Sequence, residues 1–101
     1  MTFMKVGTVN GVADNTMTGV KAGDKEVLVA HLNGKFFAIG NRCTHRGCRV
    51  SGGKIDGEHV RCPCHGSVFD LKTGSVVHGP ATAPEPSYPV KIEKDEIWVD
   101  V

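Results

Sequence analysis

Short runs of alternating apolar and polar residues, each ended by turn-forming residues, repeat along the whole chain. This pattern is typical of antiparallel β structure, because alternate side chains of a strand point to opposite faces. The clearest pair of strands is Val27–Leu32 and Lys35–Ile39, joined by Asn33-Gly34. Asn-Gly suits the left-handed positions of a two-residue hairpin turn. The sequence shows no long segment with the helical period of 3.6 residues.

The same signals predict further strands on both sides of this hairpin. They are Phe3–Val9, Thr18–Ala22, a short strand turning at Asp56-Gly57 into Glu58–Cys62, Ser67–Asp70, Ser75–Val77, Tyr88–Glu93 and Glu96–Val101. A single helical turn is expected between Gly11 and Met17. The segment Gly79–Pro89 contains four of the five prolines. Because proline cannot donate a backbone hydrogen bond, we expect a stiff loop there rather than a strand. His31, in the clear hairpin, is expected to be a surface or edge histidine.

Length and charge limit the function classes that need to be considered. The chain has 101 residues, which is enough for one domain with a single thin core. Twelve basic residues oppose eleven acidic ones, and no basic run is present, so nucleic acid and anionic membranes are poor partners. The first residues contain no continuous apolar segment, so we expect no signal peptide or anchor and a cytoplasmic location.

The cysteines and two of the histidines lie in two predicted loops. The loops read Cys43-Thr44-His45-Arg46-Gly47-Cys48 and Cys62-Pro63-Cys64-His65-Gly66-Ser67. In a chain with no export signal, this clustering favours a metal site over a plain disulfide scaffold. A structural zinc site is one alternative, although zinc ligands are usually spaced as Cys-x2–4-Cys. The motifs Cys43-Thr44-His45 (Cys-x-His) and Cys62-Pro63-Cys64-His65 (Cys-x-Cys-His) lack that form.

The spacing of these motifs resembles the Rieske family. Cys43-Thr44-His45, sixteen intervening residues and Cys62-Pro63-Cys64-His65 match its double motif. Further similar positions are Asn41–Gly47, Gly66–Asp70, Thr73-Gly74, Gly79-Pro80 and Tyr88-Pro89-Val90. The resemblance implies an all-β Rieske fold, an antiparallel β-sandwich base domain with a small inserted subdomain of two cluster-binding loops. Residues 1–101 would form one Rieske domain, with the base in 1–40 and 81–101 and the cluster-binding subdomain in about 41–80.

The resemblance also implies the cofactor, one [2Fe–2S] cluster per chain. Cys43 and Cys62 would bind the inner iron, and His45 and His65 would bind the outer iron at an exposed tip. Neutral imidazole ligands raise the reduction potential of such a cluster above that of an all-cysteine site.

Three further roles are carried over from the family. Members similar to the Rieske protein of cytochrome bc complexes have a disulfide at the positions of Cys48 and Cys64, with two free thiols as the alternative here. Ser67 matches a serine that donates a hydrogen bond to a bridging sulfide. Phe69 stands where a tyrosine would donate to the sulfur of a ligand cysteine.

The implied function is that of a soluble one-electron carrier, not an enzyme. It would pass electrons from a reductase to a terminal oxygenase or another redox acceptor, and we expect a monomer. The alternatives are a Rieske subunit of a larger redox enzyme complex and a zinc-stabilised binding module. Four arginines flank the loops and are expected to form a solvated face, with docking of an acidic partner as the alternative; they are Arg42, Arg46, Arg49 and Arg61.

Overall fold

Eleven strands form three antiparallel sheets in the computed structural model, which describes residues 3–44, 47–64 and 66–101. The strands are β1 (Phe3–Thr8), β2 (Thr16–Ala22), β3 (Lys25–Leu32), β4 (Lys35–Gly40), β5 (Lys54–Asp56), β6 (His59–Arg61), β7 (Val68–Asp70), β8 (Val76–His78), β9 (Ser87–Tyr88), β10 (Val90–Glu93) and β11 (Glu96–Asp100). Their orders are β1-β11-β10, β2-β3-β4-β9 and β5-β6-β7-β8. The expected all-β Rieske-type architecture is confirmed.

The middle sheet separates two hydrophobic cores, because strand β3 buries both of its faces. Leu28, Ala30 and Leu32 point into one core, while Val27 and Val29 point into the other. This alternation has the two-residue period of a strand. The second core contains residues of β11, so it lies between the middle sheet and the sheet of the two chain ends. The first core contains residues of β6, β7 and the two cysteine loops.

The predicted central hairpin is confirmed in its register. Leu32 pairs with Lys35 across the turn, and both turn residues have positive φ, 51° at Asn33 and 79° at Gly34. These are the left-handed values that a two-residue turn of the primed type requires. The hairpin therefore fixes strand β4, whose end leads directly into the first cysteine loop.

Three local predictions are wrong. A short 3-10 helix occupies Val9–Gly11, rather than Gly11–Met17, and strand β2 begins at Thr16. The proline-rich segment is not entirely a loop, since Ser87 and Tyr88 pair with Ile39 and Ala38 of β4. Pro89, which has no N–H, separates this short strand from β10, so the predicted continuous strand Tyr88–Glu93 is divided between two sheets.

His31 is not an edge or surface histidine. It lies on β3, in the middle of its sheet, and its ring stacks on Phe36 with ring centroids 4.1 Å apart. Its Nδ1–H donates a hydrogen bond of 2.8 Å to the carbonyl oxygen of Val12. Because the ring is stacked and bonded, a polar side chain is accommodated at a partly buried position.

None of the helices in the described residues has the length and apolar character needed to span a membrane.

Candidate metal centre

Two backbone hydrogen bonds close the first cysteine loop, and its first residue, Cys43, donates one of them and accepts the other. The N–H of Cys43 donates to the carbonyl oxygen of Cys48 at 2.7 Å, and the N–H of Gly47 donates to the carbonyl oxygen of Cys43 at 2.7 Å. Gly47 has φ of 76°, a left-handed value that side chains disfavour. The sequence therefore folds this segment into a tight turn that brings its two ends together.

The second loop has the same closure. The N–H of Cys62 donates to the carbonyl oxygen of Ser67 at 2.7 Å, and the N–H of Gly66 donates to the carbonyl oxygen of Cys62 at 3.2 Å. Gly66 has φ of 78°, nearly that of Gly47. Cys43 and Cys62 thus begin two loops of equal length and equal backbone bonding. The backbones of Cys43 and Cys62 therefore hold equivalent positions in the two loops.

Both of these thiols are buried in one core. Cys43 is 4% exposed and Cys62 is 2% exposed, and both belong to the hydrophobic cluster that contains Phe69. Neither cysteine is part of a disulfide. Two thiolates on paired loops suit iron of an iron–sulfur cluster, which prefers soft ligands. His45 and His65 lie outside the described residues, as does Arg46, so the imidazole half of the ligand set stays a prediction.

Cys48 and Cys64 bring the two loops together. Their Cα atoms are 6.4 Å apart and their sulfur atoms lie next to each other. This Cα separation lies within the range that disulfides span. Cys48 ends the first loop and Cys64 is the third residue of the second, so contact between them holds the loops side by side.

The predicted hydrogen-bond donor Ser67 lies at the base of the second loop. Its side chain is fully buried, and its Oγ accepts a hydrogen bond of 3.0 Å from the N–H of Ala81. Because this bond uses an acceptor site of the hydroxyl, the hydroxyl proton is left for a second partner. Phe69 is fully buried two residues further along, with no hydroxyl to offer.

Asn41 supports the first loop in a way that the sequence analysis missed. It is 3% exposed, its Oδ1 accepts from the N–H of Ser51 at 2.8 Å, and its carbonyl oxygen accepts from the N–H of Val50 at 2.9 Å. An asparagine at the end of a strand is a known signal for such side-chain to backbone bonding. These bonds join the chain on both sides of the loop.

Two of the loop arginines are ion paired, so a merely solvated face is an incomplete description of them. Glu26 on β3 accepts a hydrogen bond from Arg42 and lies 3.4 Å from Nε of Arg49. Arg42 also donates from Nη1 to the carbonyl oxygen of Gly47 at 3.0 Å. The hydrogen bond from Arg42 holds the pKa of Glu26 below its usual value. The arginines therefore anchor the first loop to the middle sheet.

Glu85 is the second residue that the sequence analysis missed. It is only 3% exposed, and its Oε2 accepts a hydrogen bond of 3.1 Å from the N–H of Thr44, between the expected ligands Cys43 and His45. Burial raises the pKa of this carboxyl group to about 7, against a lowering by the Thr44 bond. No local pattern marks it, since an acidic residue among prolines is typical of an exposed loop.

Comparison with known proteins identifies the same family that the motifs of the two loops resemble. Residues 2–89 match the Rieske [2Fe-2S] domain family. The ferredoxin component of the naphthalene 1,2-dioxygenase/salicylate 5-hydroxylase systems of Ralstonia sp. is 35% identical over 97 residues, which are 96% of this chain and 93% of the relative. A ferredoxin of Sphingomonas yanoikuyae B1 is 30% identical, with a TM-score of 0.92 and 99% of each chain covered. A structure described as the complex of reduced oxygenase and oxidized ferredoxin in carbazole 1,9a-dioxygenase matches at 28% identity and a TM-score of 0.90, covering 96% of this chain and 91% of that one.

The chain belongs to the Rieske [2Fe-2S] domain family, and its cofactor is a [2Fe–2S] cluster. The expected function is confirmed at the level of class: this is an electron carrier and not an enzyme. A cluster of this kind, when bound, takes up and releases one electron.

Proposed function

We propose that this chain carries electrons from a reductase to a terminal oxygenase of the aromatic-ring dioxygenase type. The relatives that cover nearly its whole length are named as ferredoxin components of such systems. The similar ferredoxin in the carbazole system is described in complex with its oxygenase. The monomer expected from the sequence is part of this proposal, as is a cytoplasmic location, which cell fractionation would test.

We further propose that Cys43, His45, Cys62 and His65 are the cluster ligands. The observation that carries this assignment is the equal closure of the two loops, which gives Cys43 and Cys62 equivalent, buried positions. His45 and His65 follow these cysteines within the same loops. The chain itself supplies the thiolates and the hydrophobic core around them, within the cluster-binding subdomain expected over about residues 41–80.

A Cys48–Cys64 disulfide and a hydrogen bond from Ser67 to a bridging sulfide complete the proposed centre. The disulfide is supported by the Cα separation of 6.4 Å across the loops. The Ser67 bond is supported by a buried hydroxyl whose acceptor site is already used by Ala81. The disulfide would hold the two loops together, and the Ser67 hydrogen bond would act on a sulfide of the cluster. Neither group would be a ligand.

Metal analysis and reconstitution test the proposal. We expect two irons and two acid-labile sulfides per chain, and a reduced protein that passes its electron to a Rieske-type oxygenase when a dioxygenase-system reductase and NADH are supplied. His45→Ala and His65→Ala should lose or alter the cluster while the β base stays folded by circular dichroism. One zinc per chain with no sulfide would refute the ligand assignment, and co-purification in a fixed complex would favour an enzyme subunit.

A further inference from the structure

We propose that Glu85 is a positioning residue for the cluster: by binding the backbone of Thr44, its side chain fixes the backbone of the first loop next to Cys43. This inference rests on the proposed ligand set. Glu85 would act through the first loop, from outside the set of ligands, and it belongs to a different segment of the chain.

Two hydrogen bonds fasten the proline-rich segment to a single residue of the ligand loop. Oε2 of Glu85 accepts from the N–H of Thr44 at 3.1 Å, and Oγ1 of Thr44 donates to the carbonyl oxygen of Ala83 at 2.6 Å. Thr44 is the residue between the two expected ligands of this loop. The peptide group that joins Cys43 to Thr44 is therefore oriented by Glu85, and this restrains the direction of the Cys43 side chain.

The carboxyl group is held on a rigid support. The N–H of Glu85 donates to the carbonyl oxygen of Gly74 at 2.8 Å, and the N–H of Gly40 donates to the carbonyl oxygen of Pro86 at 2.9 Å. Immediately afterwards the chain enters β9, which pairs with β4. Glu85 is thus fixed from both sides, so its hydrogen bond can hold the loop in place.

Glycine at position 40 leaves the space that the carboxyl group occupies. A Cβ added to Gly40 would lie 2.7 Å from Oε1 of Glu85, which is closer than real contacts allow. The side chain therefore sits directly against the last residue of β4, three residues before Cys43. The Glu85 side chain thus fills the space beside Gly40, next to the beginning of the ligand loop.

An unpaired buried acid in this space is costly to the fold. Among the residues that the structure describes, no lysine, arginine or histidine forms an ion pair with Glu85. The pKa of Tyr88, which faces it, is raised by burial and further by the Glu85 carboxylate. Groups that cost stability without pairing are expected where they have a role in a functional site. Here that role is the bond to Thr44.

Three variants separate the hydrogen bond from the size and charge of the side chain. Glu85→Gln keeps an oxygen acceptor at the same reach and removes the charge. Glu85→Asp keeps the charge but shortens the side chain by one methylene, which withdraws the acceptor from Thr44. Glu85→Leu removes the acceptor at similar volume. Glu93→Gln, an exposed glutamate at the end of β10, is the matched control.

The holoproteins are compared by iron content, by the electron paramagnetic resonance spectrum of the reduced cluster and by amide exchange of the peptide around Thr44. For Glu85→Asp and Glu85→Leu we expect shifted resonance lines and about tenfold faster exchange of this peptide, as for the loss of one hydrogen bond. Glu85→Gln and Glu93→Gln should match the wild type in both measurements.

Wild-type lines and exchange in Glu85→Asp would overturn the inference, whether or not Glu85→Leu folds. Shifted resonance lines and faster exchange in Glu85→Gln would also overturn it, because the charge and not the hydrogen bond would then be decisive. A failure of the proposed ligand set has a different signature, since His45→Ala or His65→Ala would then retain the wild-type spectrum.

Discussion

Burial of the Glu85 carboxyl group makes the stability of the folded protein depend on pH. Because the pKa is about 7 in the folded state and near its usual 4.5 in the unfolded chain, the folded state binds the proton more tightly. The contribution of this group to the free energy of unfolding is therefore most favourable below about pH 4.5. It is lost as the pH rises through about 7, and the whole loss is at most about 3 kcal/mol. The effect reverses the usual behaviour of an ion-paired carboxylate.

Glu85→Gln should remove this dependence on pH. We expect the variant to be more stable than the wild type at about pH 8 and close to it at about pH 5, since its neutral amide resembles the protonated acid. Midpoints of thermal unfolding of the holoproteins, measured at one scan rate across this range, check the prediction. Parallel curves for the two proteins would contradict it.

The reduction potential depends on hydroxyl groups close to the cluster. Hydrogen bonds to sulfur stabilise the reduced, more negative state and so raise the potential. Phe69→Tyr should raise it, and Ser67→Ala should lower it, each by on the order of 50–100 mV if part of a charged hydrogen bond differs between redox states. Redox titration followed by visible absorption measures both shifts, and Phe69→Leu is the control for repacking alone.

The position of Phe69 makes the outcome of this substitution decisive. The side chain is fully buried in the core shared with both cysteine thiols. A tyrosine hydroxyl placed there either finds a sulfur acceptor or remains unpaired, at a cost of about 1–3 kcal/mol of unfolding free energy. A fall in stability with an unchanged potential would show that no acceptor is within reach.

At the scale of the loops, the proposed Cys48–Cys64 disulfide should stabilise the holoprotein. The mass of the unreduced, denatured chain should be lower by two hydrogens than that of the reduced chain. The double substitution Cys48→Ala with Cys64→Ala should keep the cluster and lower the unfolding midpoint. The chain-entropy model gives roughly 3 kcal/mol for a loop of this size, and we expect less because the iron ligands already restrain both loops. A full-mass chain with two thiols would contradict the pairing.

Two glycines with positive φ should respond differently to the same substitution. Gly57 has φ of 62° and open space around it, whereas a Cβ at Gly74, with φ of 80°, would overlap the carbonyl oxygen of Glu85. Both alanine variants bear backbone strain of about 1–3 kcal/mol, but only Gly74→Ala must also displace the backbone that holds Glu85. We expect clearly lower stability for Gly74→Ala by thermal unfolding, and equal losses would contradict this account.

The sequence predicted the elements whose signals are local. The Asn33-Gly34 turn and the alternation around it fixed the central hairpin, and the two loops are located where the cysteine motifs place them. Interactions between distant segments could not be predicted from local pattern. Ser87 and Tyr88 form a strand because β4 offers an edge, and His31 is partly buried because Phe36 and Val12 accommodate it. Glu85 acquires its role from Thr44, which lies 41 residues away.

For the whole molecule, charge near the loops matters more than net charge, which is only +1. Arg42 and Arg49 share Glu26, whose single carboxylate balances one of their two charges. Arg61 is exposed and immediately precedes Cys62, with its Nη1 beside the backbone of Gly66. It is therefore the described arginine best placed to attract an acidic partner surface to the second loop.

Arg61→Gln should slow electron transfer to an acidic oxygenase or from an acidic reductase. Attraction between exposed charges acts mainly on the association rate and is screened by salt, with a Debye length of about 8 Å at physiological ionic strength. We therefore expect the second-order rate constant of the variant to be several-fold lower at low salt and to converge with the wild type as salt increases. Stopped-flow mixing of reduced ferredoxin with excess oxygenase measures this constant. Lys94→Gln, which removes one positive charge from the turn between β10 and β11 in another sheet, should leave it nearly unchanged. Equal effects of the two variants would mean that only net charge matters, and no effect of either would exclude Arg61 from the docking surface.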